Sequence, residues 1–501
     1  MSRDVVSKQL RRAFYLLFLL LIGNLMVQTI FRNPYFSFTA VGSIGAALLW
    51  GAVLWGLAVL LRRWEPMLVQ YRNRLLCGFL LLTIATQFVF YSFAACWPVR
   101  DLEYIHNAAY EYTVTGQNVG LSQDYLYKFP NNLPVVGLLQ LVWRIVYRIF
   151  GEGFTQWHSV AILLNAAAIL LGYLFLFLVA EQLLGTRWGF WCWLVLYGCL
   201  PLQFLLTYYY TDTLTLPFAP MALYAWLRLR QEKCPSRKIG FAILGGLALG
   251  IGTTLKATVA IVLIAILIDA LLQWDWRNIV ALLLTTVCSL ALCSFAVNQF
   301  AYGNGRVLDR AVAPDRATPY TNWIAMGMMG DGSYIPDTNL AVWQKETKAE
   351  KEAFSREILQ QRYQEEFGSF GKYLLFLNRK GVRSFGCGDL ETPQTVGVHF
   401  RKEGGLAEKL VYEQGAWHKA YEYIAQGWHL AVFGFMLLAA GLSLRKGDRK
   451  AFIPLLAVFG LYLFLLIWEA SQRYLTNWLT LFVLAAACGA KLLETHFVRE
   501  K

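Results

Sequence analysis

The residues from Trp97 to Leu133 begin WPVRDLEYIHNAAYEY, end DYLYKFPNNL and directly follow a long apolar run. Their charged side chains are Arg100, Asp101, Glu103, Glu111, Asp124 and Lys128. Polar residues just beyond the end of a membrane helix lie at the bilayer surface, at the depth of a lipid headgroup. There Asp101 could remove a proton from a hydroxyl, and Arg100 and Lys128 could hold a phosphate. In the alternative interpretation, Asp101 caps a helix that begins at Leu102.

The composition indicates a membrane protein. Of the 501 residues, 57% are hydrophobic, whereas soluble domains are about 45–50% apolar. Aromatic residues make up 15% of the chain, which suits the aromatic belts of membrane proteins. Most of the net charge of +13 lies in short loops between apolar runs, where basic residues set topology. The predicted fold class is therefore an all-α polytopic membrane protein, and we expect no nucleic-acid partner.

The sequence indicates no cofactor. It contains no metal-binding spacing such as CxxC or HExxH, and Cys387 is the one cysteine in the long polar segment. A divalent metal is not indicated, although these patterns do not exclude one. The basic stretch Met1–Arg12 precedes an apolar run without a clear cleavage site, so we expect an uncleaved first span.

Twelve apolar runs approach the roughly 20 residues that a membrane-spanning helix needs. They are residues 13–31, 40–61, 74–97, 158–183, 188–206, 212–229, 239–254, 257–273, 278–298, 427–444, 451–468 and 473–491. A thirteenth run, 132–150, carries Arg144 and Arg148, and we place it along the outer surface as an interfacial helix. The basic loops Arg228–Lys238 and Arg445–Lys450 then fall inside with both termini, as the positive-inside rule requires.

The alternation of polar and apolar stretches predicts four parts. They are two N-terminal spans (1–73), a main transmembrane module (74–298), an external segment (299–426) and the C-terminal spans (427–501). The first external loop, 98–157, is expected to contain surface helices. Residues 339–367 have the pattern of one charged amphipathic helix, whose simplest interpretation is a solvated face. We expect the external segment to pack on the outer ends of the spans.

Further charges stand at predicted outer ends of spans. Asp212 lies in TYYYTDT, Lys256 in GTTLKAT, and Glu469 and Arg473 in EASQRY. Taken singly, each could be an ordinary loop charge or a snorkelling side chain. Their turns are very short, so under this topology all four lie near the bilayer in the same leaflet as Asp101. No row of acids or histidines crosses the membrane as a proton relay would, which places any chemistry at one surface.

The motifs together resemble the GT-C superfamily. These motifs are an acid just after a span, the loop YLYKFPNNL, the outer-end TDTLTLPF and a later LKAT. Members are integral-membrane glycosyltransferases that use polyprenyl-phosphate sugars, among them protein O-mannosyltransferases and the aminoarabinose transferases that modify lipid A. The resemblance covers roughly residues 75–500, in organisation more than in identity.

The resemblance implies roles for individual residues. Asp101 matches the acid expected to act as base, and Asp212 matches a second acid at an outer helix end. Lys256 and Arg473 match cations that hold the lipid phosphate, and Lys128 matches the cation of the loop element. The remaining candidates for substrate binding are Arg100, Glu103, Asn131 and Asn132. A single proline follows Lys128 where the lipid A transferases have a pair, which leaves the acceptor open.

The expected function is inverting transfer of a sugar from a polyprenyl phosphate to an acceptor hydroxyl at the outer face of the cell membrane. The acceptor would be a cell-envelope glycan, lipid or protein, and membrane lipids would surround the enzyme. One alternative is a transporter or a flippase for lipid-linked glycans, which should show polar groups at mid-membrane depth and broken helices. Another alternative is a ligase that moves a larger glycan unit.

Overall fold

The computed structural model of the chain describes residues 3–35, 39–117, 120–303 and 307–499. Within these ranges the regular structure is helical, apart from an isolated antiparallel bridge between Cys96 and Phe400. The prediction of an all-α membrane protein is confirmed. Residues 1–2 and 500–501, which the sequence places in the cytoplasm, lie outside the described ranges.

The first half of the chain forms twelve helices within the described ranges. They are α1 (Arg3–Phe31), α2 (Ala40–Arg63), α3 (Glu65–Gln70), α4 (Arg72–Ala94), α5 (Asp101–Thr115), α6 (Gly120–Lys128), α7 (Leu133–Phe150), α8 (Trp157–Leu184), α9 (Thr186–Tyr197), α10 (Leu200–Phe204), α11 (Thr211–Leu214) and α12 (Phe218–Gln231). Short 3₁₀ turns precede α7 at Pro130–Asn132 and follow α10 at Leu205–Thr207.

The second half adds thirteen helices among the described residues. They are α13 (Pro235–Leu255), α14 (Ala260–Gln273), α15 (Trp276–Tyr302), α16 (Ala313–Arg316), α17 (Tyr320–Gly327), α18 (Pro336–Trp343), α19 (Lys348–Glu366), α20 (Phe370–Phe385), α21 (Thr392–Thr395), α22 (Leu406–Val411), α23 (His418–Lys446), α24 (Phe452–Ile467) and α25 (Leu479–Arg499). A 3₁₀ turn at Ala257–Val259 leads into α14, and another at Gln472–Trp478 leads into α25.

Nine helices of the described part of the chain are long and apolar enough to cross a membrane. They are α1, α2, α4, α7, α8, α13, α15, α23 and α25, of which α7 and α25 are counted with their preceding 3₁₀ turns. The predicted span 188–206 is instead the pair α9 and α10, bent by 70°. Pro201 near the start of α10 has no backbone N–H with which to continue the preceding helix. The predicted total of twelve spans is not confirmed.

Three other predicted spans are interrupted or short. The run 212–229 splits into α11 and α12 on either side of Pro217, and 257–273 begins with a 3₁₀ turn before α14. The run 451–468 contains the 16-residue helix α24. Apolar composition therefore predicted where these segments lie, but interruptions of the helical conformation make the helices shorter than predicted.

Helix α7 satisfies the length and composition of a span, although the sequence predicts that it lies on the surface. Its buried side chains recur every three or four residues along one face, as Leu133, Val136, Leu139, Gln140 and Trp143. This face packs mainly against α5, the helix that begins at Asp101. The surface placement of α7 stays a prediction.

The external segment packs on the ends of the spans. The predicted single helix over 339–367 is wrong, because it forms α18 and α19 with a break between them. Thr347 starts α19 through a capping box with Glu350, which stops α18 from continuing. Farther along, α20 packs against α1 and α24.

The structure also excludes the capping interpretation of Asp101. Helix α5 begins at Asp101 itself, and Arg100 occupies the cap position without a side-chain capping hydrogen bond. Arg100 has a φ of 54°, an uncommon value for a residue other than glycine. The preceding loop is held by a hydrogen bond from the Trp97 N–H to the His399 carbonyl (2.9 Å). The external segment thus fixes the backbone that leads to Asp101.

Candidate functional site

A cavity of about 1620 Å³ lies where several interhelical links meet the external segment. Its lining includes residues 210–211, 253–258 and 468–474, together with parts of α5, α6 and the external segment. Residues 210–211, 253–258 and 468–474 lie at or beside the breaks between helices that shorten the predicted spans. The breaks in the apolar helices therefore supply the polar part of the cavity wall.

Two cations face this cavity, and a buried carboxylate lies behind them. Lys256 and Arg473 line the cavity with side chains 10% and 12% exposed, whereas Asp212 is 1% exposed. The Lys256 ammonium donates to Asp212 Oδ1, and Arg473 Nε lies 3.3 Å from Asp212 Oδ2. Burial lowers the pKa of Lys256, while the charge of Asp212 opposes that change. An anion in the cavity would meet two cations that one carboxylate keeps in place.

Local backbone structure explains how these three residues converge. Asp212 lies in the first turn of the short helix α11, where the chain turns before α12. Lys256 has an extended backbone between α13 and the next 3₁₀ turn, and Arg473 belongs to the 3₁₀ turn before α25. Each residue thus lies at a helix interruption, where a charged side chain can leave the apolar bundle.

An ion pair connects this cluster to Asp101, and hydrogen-bonded side chains lie around that carboxylate. Arg473 Nη2 lies 3.6 Å from Asp101 Oδ2, and the Tyr125 hydroxyl is hydrogen-bonded to the same carboxylate. Asn132 Nδ2 donates to the Tyr125 hydroxyl (2.7 Å) and its Oδ1 accepts from Tyr210 (3.2 Å). Burial raises the pKa of Tyr125 well above its ordinary value, so its hydroxyl stays protonated and can donate. The Asp101 side chain is 38% exposed, so a substrate in the cavity can reach it.

The other predicted site residues divide into two groups. Lys128, Arg100 and Asn131 line the cavity with Asn132, and the Lys128 ammonium forms an ion pair with Asp124 (2.6 Å). Glu103 is exposed on the first turn of α5 and does not line the cavity. Residues two positions apart on an α-helix point to nearly opposite sides, so Glu103 does not face the cavity as Asp101 does. The structure therefore does not bring Glu103 into the site.

Five acidic residues of the cavity lining are absent from the predicted site, namely Asp124, Glu352, Asp389, Glu391 and Glu469. The sequence places Glu469 at an outer end beside Arg473, but gives it no role. Asp389 and Glu391 lie in the external segment, where no motif indicates a site. Their sequence GCGDLETP signals only a turn, so their approach to Arg473 depends on packing. Among the described residues, no group of three or more histidine, cysteine or acidic residues has a metal-binding arrangement.

The fold and the cavity define a polytopic membrane protein with a charged site at the ends of its helices. A family model described as "conserved hypothetical integral membrane protein" matches residues 7–492, and the chain belongs to that family. No curated protein sequence matches the chain.

Two solved structures illustrate what the chain is similar to. ArnT from Cupriavidus metallidurans, bound to undecaprenyl phosphate, is 16% identical with a TM-score of 0.34, over 83% of this chain and 78% of ArnT. The oligosaccharyltransferase AglB from Archaeoglobus fulgidus, with an inhibitory peptide and a dolichol-phosphate, is 12% identical with a TM-score of 0.41. That match covers 86% of this chain, which spans about half of AglB (51%). Both proteins are GT-C glycosyltransferases, the superfamily that the sequence resembles. At these scores the likeness says nothing about the chemistry of this chain.

Proposed function

We propose that the chain is an inverting glycosyltransferase that moves a sugar from a polyprenyl-phosphate donor to an acceptor hydroxyl at the outer membrane face. One observation carries this proposal. Two buried cations and an accessible carboxylate, Asp101, face the same cavity and are joined through Arg473. A phosphate-linked donor and a nucleophilic hydroxyl need these two kinds of group side by side.

Lys256 and Arg473 would hold the donor phosphate and stabilise it as it leaves. Fixed cations in a site with little water stabilise developing negative charge more strongly than water does. A phosphate leaving group needs no proton at neutral pH, so no catalytic acid is required. Asp212 lies behind the cations and would position them through its contacts rather than touch the substrate.

Asp101 would act as the base. It would take the proton of the acceptor hydroxyl, which attacks the anomeric carbon from the face opposite the phosphate and inverts its configuration. Tyr125 and Arg473 contact the carboxylate and would set its orientation. One carboxylate is then sufficient, unlike the pair that glycosidases use.

The polyprenyl tail would lie along the end of α24. Phe464 and Trp468 line the cavity there, and Leu463 and Ile467 are exposed on the same helix or at its end. An apolar surface that leads from a charged cavity to the outside of a membrane bundle suits a lipid with an anionic head. Cations and amides at the rim of the cavity, Lys128 among them, would contact the acceptor, which is a cell-envelope glycan, lipid or protein.

The test is transfer of radiolabelled sugar from polyprenyl phosphate to a cell-envelope acceptor fraction by purified protein in detergent. Arg473→Gln should lower kcat/KM about 10- to 100-fold, the scale of a lost hydrogen bond to a charged group. Arg473→Lys should lose less, because lysine keeps the charge but not the planar fork. Lys372→Gln, which changes an exposed cation of α20, serves as the matched control.

Three outcomes would contradict the proposal. Labelled lipid that crosses liposomes without forming a new bond would identify a flippase. Equal kcat/KM in both Arg473 variants and the wild type, with intact folding, would remove the cation from the site. Transfer of a whole glycan instead of one sugar would favour the ligase.

A further inference from the structure

One wall of the cavity is acidic. Asp389 and Glu391 from the external segment and Glu469 from the link after α24 all line it, and Asp389 and Glu469 are buried. Arg383 lies 3.7 Å from Glu391 and 3.6 Å from Asp331, and the charges of Arg473 and Lys380 act on Glu469. Four acidic side chains, Asp331 among them, face these three cations, one of which, Arg473, also contacts Asp101 and Asp212, so a second phosphate would be repelled there.

This wall is hydrogen-bonded to the segment that carries Arg473. Glu391 accepts hydrogen bonds from Ser471 Oγ (2.8 Å) and from the backbone N–H of Gln472 (3.2 Å), the residue before Arg473. The Glu391 N–H in turn donates to Asp389 Oδ1 (3.1 Å). A ligand group attached to a phosphate at Arg473 would therefore meet this wall first.

The backbone of the wall is strained. Leu390 and Glu391 have φ values of 56° and 58°, in the left-handed region that residues other than glycine avoid. Such residues persist where the surrounding structure holds them, and they concentrate at ligand sites. Here the hydrogen bonds of Glu391 hold the turn, and the conformation of that turn places the carboxyl groups of Asp389 and Glu391 at the cavity.

A buried donor on this wall has no partner. Gln472 lines the cavity with 3% of its surface exposed, and its Nε2 makes no hydrogen bond within the described part of the chain. A buried N–H without an acceptor is unfavourable. An oxygen atom of a bound ligand would satisfy it.

A flat aromatic surface borders the acidic wall. Trp468, next to Glu469 in the chain, lines the cavity and is partly exposed, and its ring lies nearly parallel to those of Phe464 (ring centroids 5.5 Å apart) and Trp323 (6.2 Å). Aromatic faces offer large apolar contact at low cost in conformational entropy. The wall therefore combines an apolar platform with hydrogen-bond acceptors and one free donor.

We infer that Asp389, Glu391, Glu469, Gln472 and Trp468 form the subsite for the sugar ring of the donor, and that this sugar is uncharged rather than a uronic acid. A pyranose has hydroxyls that donate to carboxylates, oxygens that accept from an amide, and an apolar face that packs on an indole. A carboxylate on the sugar would face three acidic side chains, two of them buried. The inference rests on the proposed function, because Arg473 must hold the phosphate for the ring to reach this wall.

The buried acids suit this role further. Burial raises the pKa of both Glu469 and Asp389 to about 7. At neutral pH each carboxyl group is thus partly protonated, and can donate to one sugar oxygen or accept from another.

The test compares the affinities of three probes for the purified protein in detergent. The probes are a bare polyprenyl phosphate, its glucosyl form and its glucuronosyl form. The wild type should bind the glucosyl probe about tenfold more tightly than either of the others. Gln472→Met, which keeps the size but removes the amide, should bring the glucosyl affinity close to that of the bare phosphate. Gln360→Met on the exposed side of α19 is the matched control.

Two further readouts separate binding from folding. Gln472→Met should unfold at the same temperature as the wild type or higher without lipid, because it removes an unpaired buried donor. Glu469→Gln should reduce the preference for glucosyl over glucuronosyl lipid. Suppose that binding of the bare polyprenyl phosphate requires Arg473. If the glucosyl form then binds no more tightly than the bare phosphate, or if the glucuronosyl form binds as tightly as the glucosyl form, the inference fails and the proposed function stands. If Arg473→Gln leaves the affinity for the bare polyprenyl phosphate unchanged, the proposed function fails as well.

Discussion

Replacing Asp212 with asparagine removes one negative charge from the buried cluster and leaves its shape almost unchanged. This carboxylate contacts both Lys256 and Arg473, and all three side chains are largely buried. Neither cation can recover full hydration when the charge is lost. We expect Asp212→Asn to destabilise the ligand-free protein but to increase its stabilisation by a lipid phosphate.

The magnitude follows from the burial of the cluster. Breaking a buried ion pair by removal of one partner costs about 3–5 kcal/mol. Unfolding entropy of about 2.1 cal/mol/K per residue over 501 residues is roughly 1 kcal/mol/K, so the loss corresponds to about 3–5 °C in Tm. A phosphate brings negative charge back to the same cations and should recover part of that loss.

The assay is thermal unfolding of purified protein in detergent, with and without polyprenyl phosphate. At a hundredfold excess over Kd, binding stabilises the wild type by about 2.7 kcal/mol, or roughly 3 °C on the same scale. The rise should be larger in Asp212→Asn, because its cations are not neutralised by the carboxylate. Glu357→Gln on the exposed side of α19 removes a charge outside the cavity and should behave as the wild type.

One result would refute this reasoning. If Asp212→Asn is destabilised as expected but gains no more from the lipid than the wild type does, the phosphate does not bind at Lys256 and Arg473. The cluster would then be a structural ion pair that joins helix ends. A variant with wild-type stability would contradict the burial argument itself.

Three further predictions address the base, the topology and the acidic wall. Asp101→Asn should lower turnover at least about a hundredfold while polyprenyl phosphate still raises Tm, and near-normal turnover would exclude Asp101 as the base. A cysteine at Gly153, which lies in open space after α7, should react with impermeant maleimide in intact cells, whereas labelling only after permeabilisation would make α7 a span. Asp389→Asn should raise Tm more at pH 8 than at pH 5. Burial raises the pKa of Asp389 to about 7 in the folded protein. The stability that the protonated group contributes is therefore fully present below the unfolded pKa of about 4 and is lost as pH rises through about 7, where asparagine has no such loss. Equal changes at both pH values would contradict that assignment.

The sequence by itself determined the membrane-bound helical character of the chain and the positions of its important breaks. Long apolar runs leave few stable alternatives to helices in a bilayer, because the backbone must satisfy its hydrogen bonds internally. Charges such as Asp212, Lys256 and Arg473 are conspicuous in that background, since they stand where apolar runs end. Their grouping at one side could therefore be predicted from topology alone.

Only the tertiary structure decided how these charges pair and what completes the cavity. Lys256 and Asp212 are 44 positions apart, and their contact depends on where the link after α13 lies relative to α11. The approach of Glu391 to Ser471 spans 80 positions, and both segments are too polar and irregular to show a periodic pattern. Local sequence patterns record the environment of one element, whereas contacts between distant loops follow from the packing of the whole bundle. For that reason the cations and Glu469 could be located from the sequence, whereas the position of Asp389 and Glu391 beside them could not.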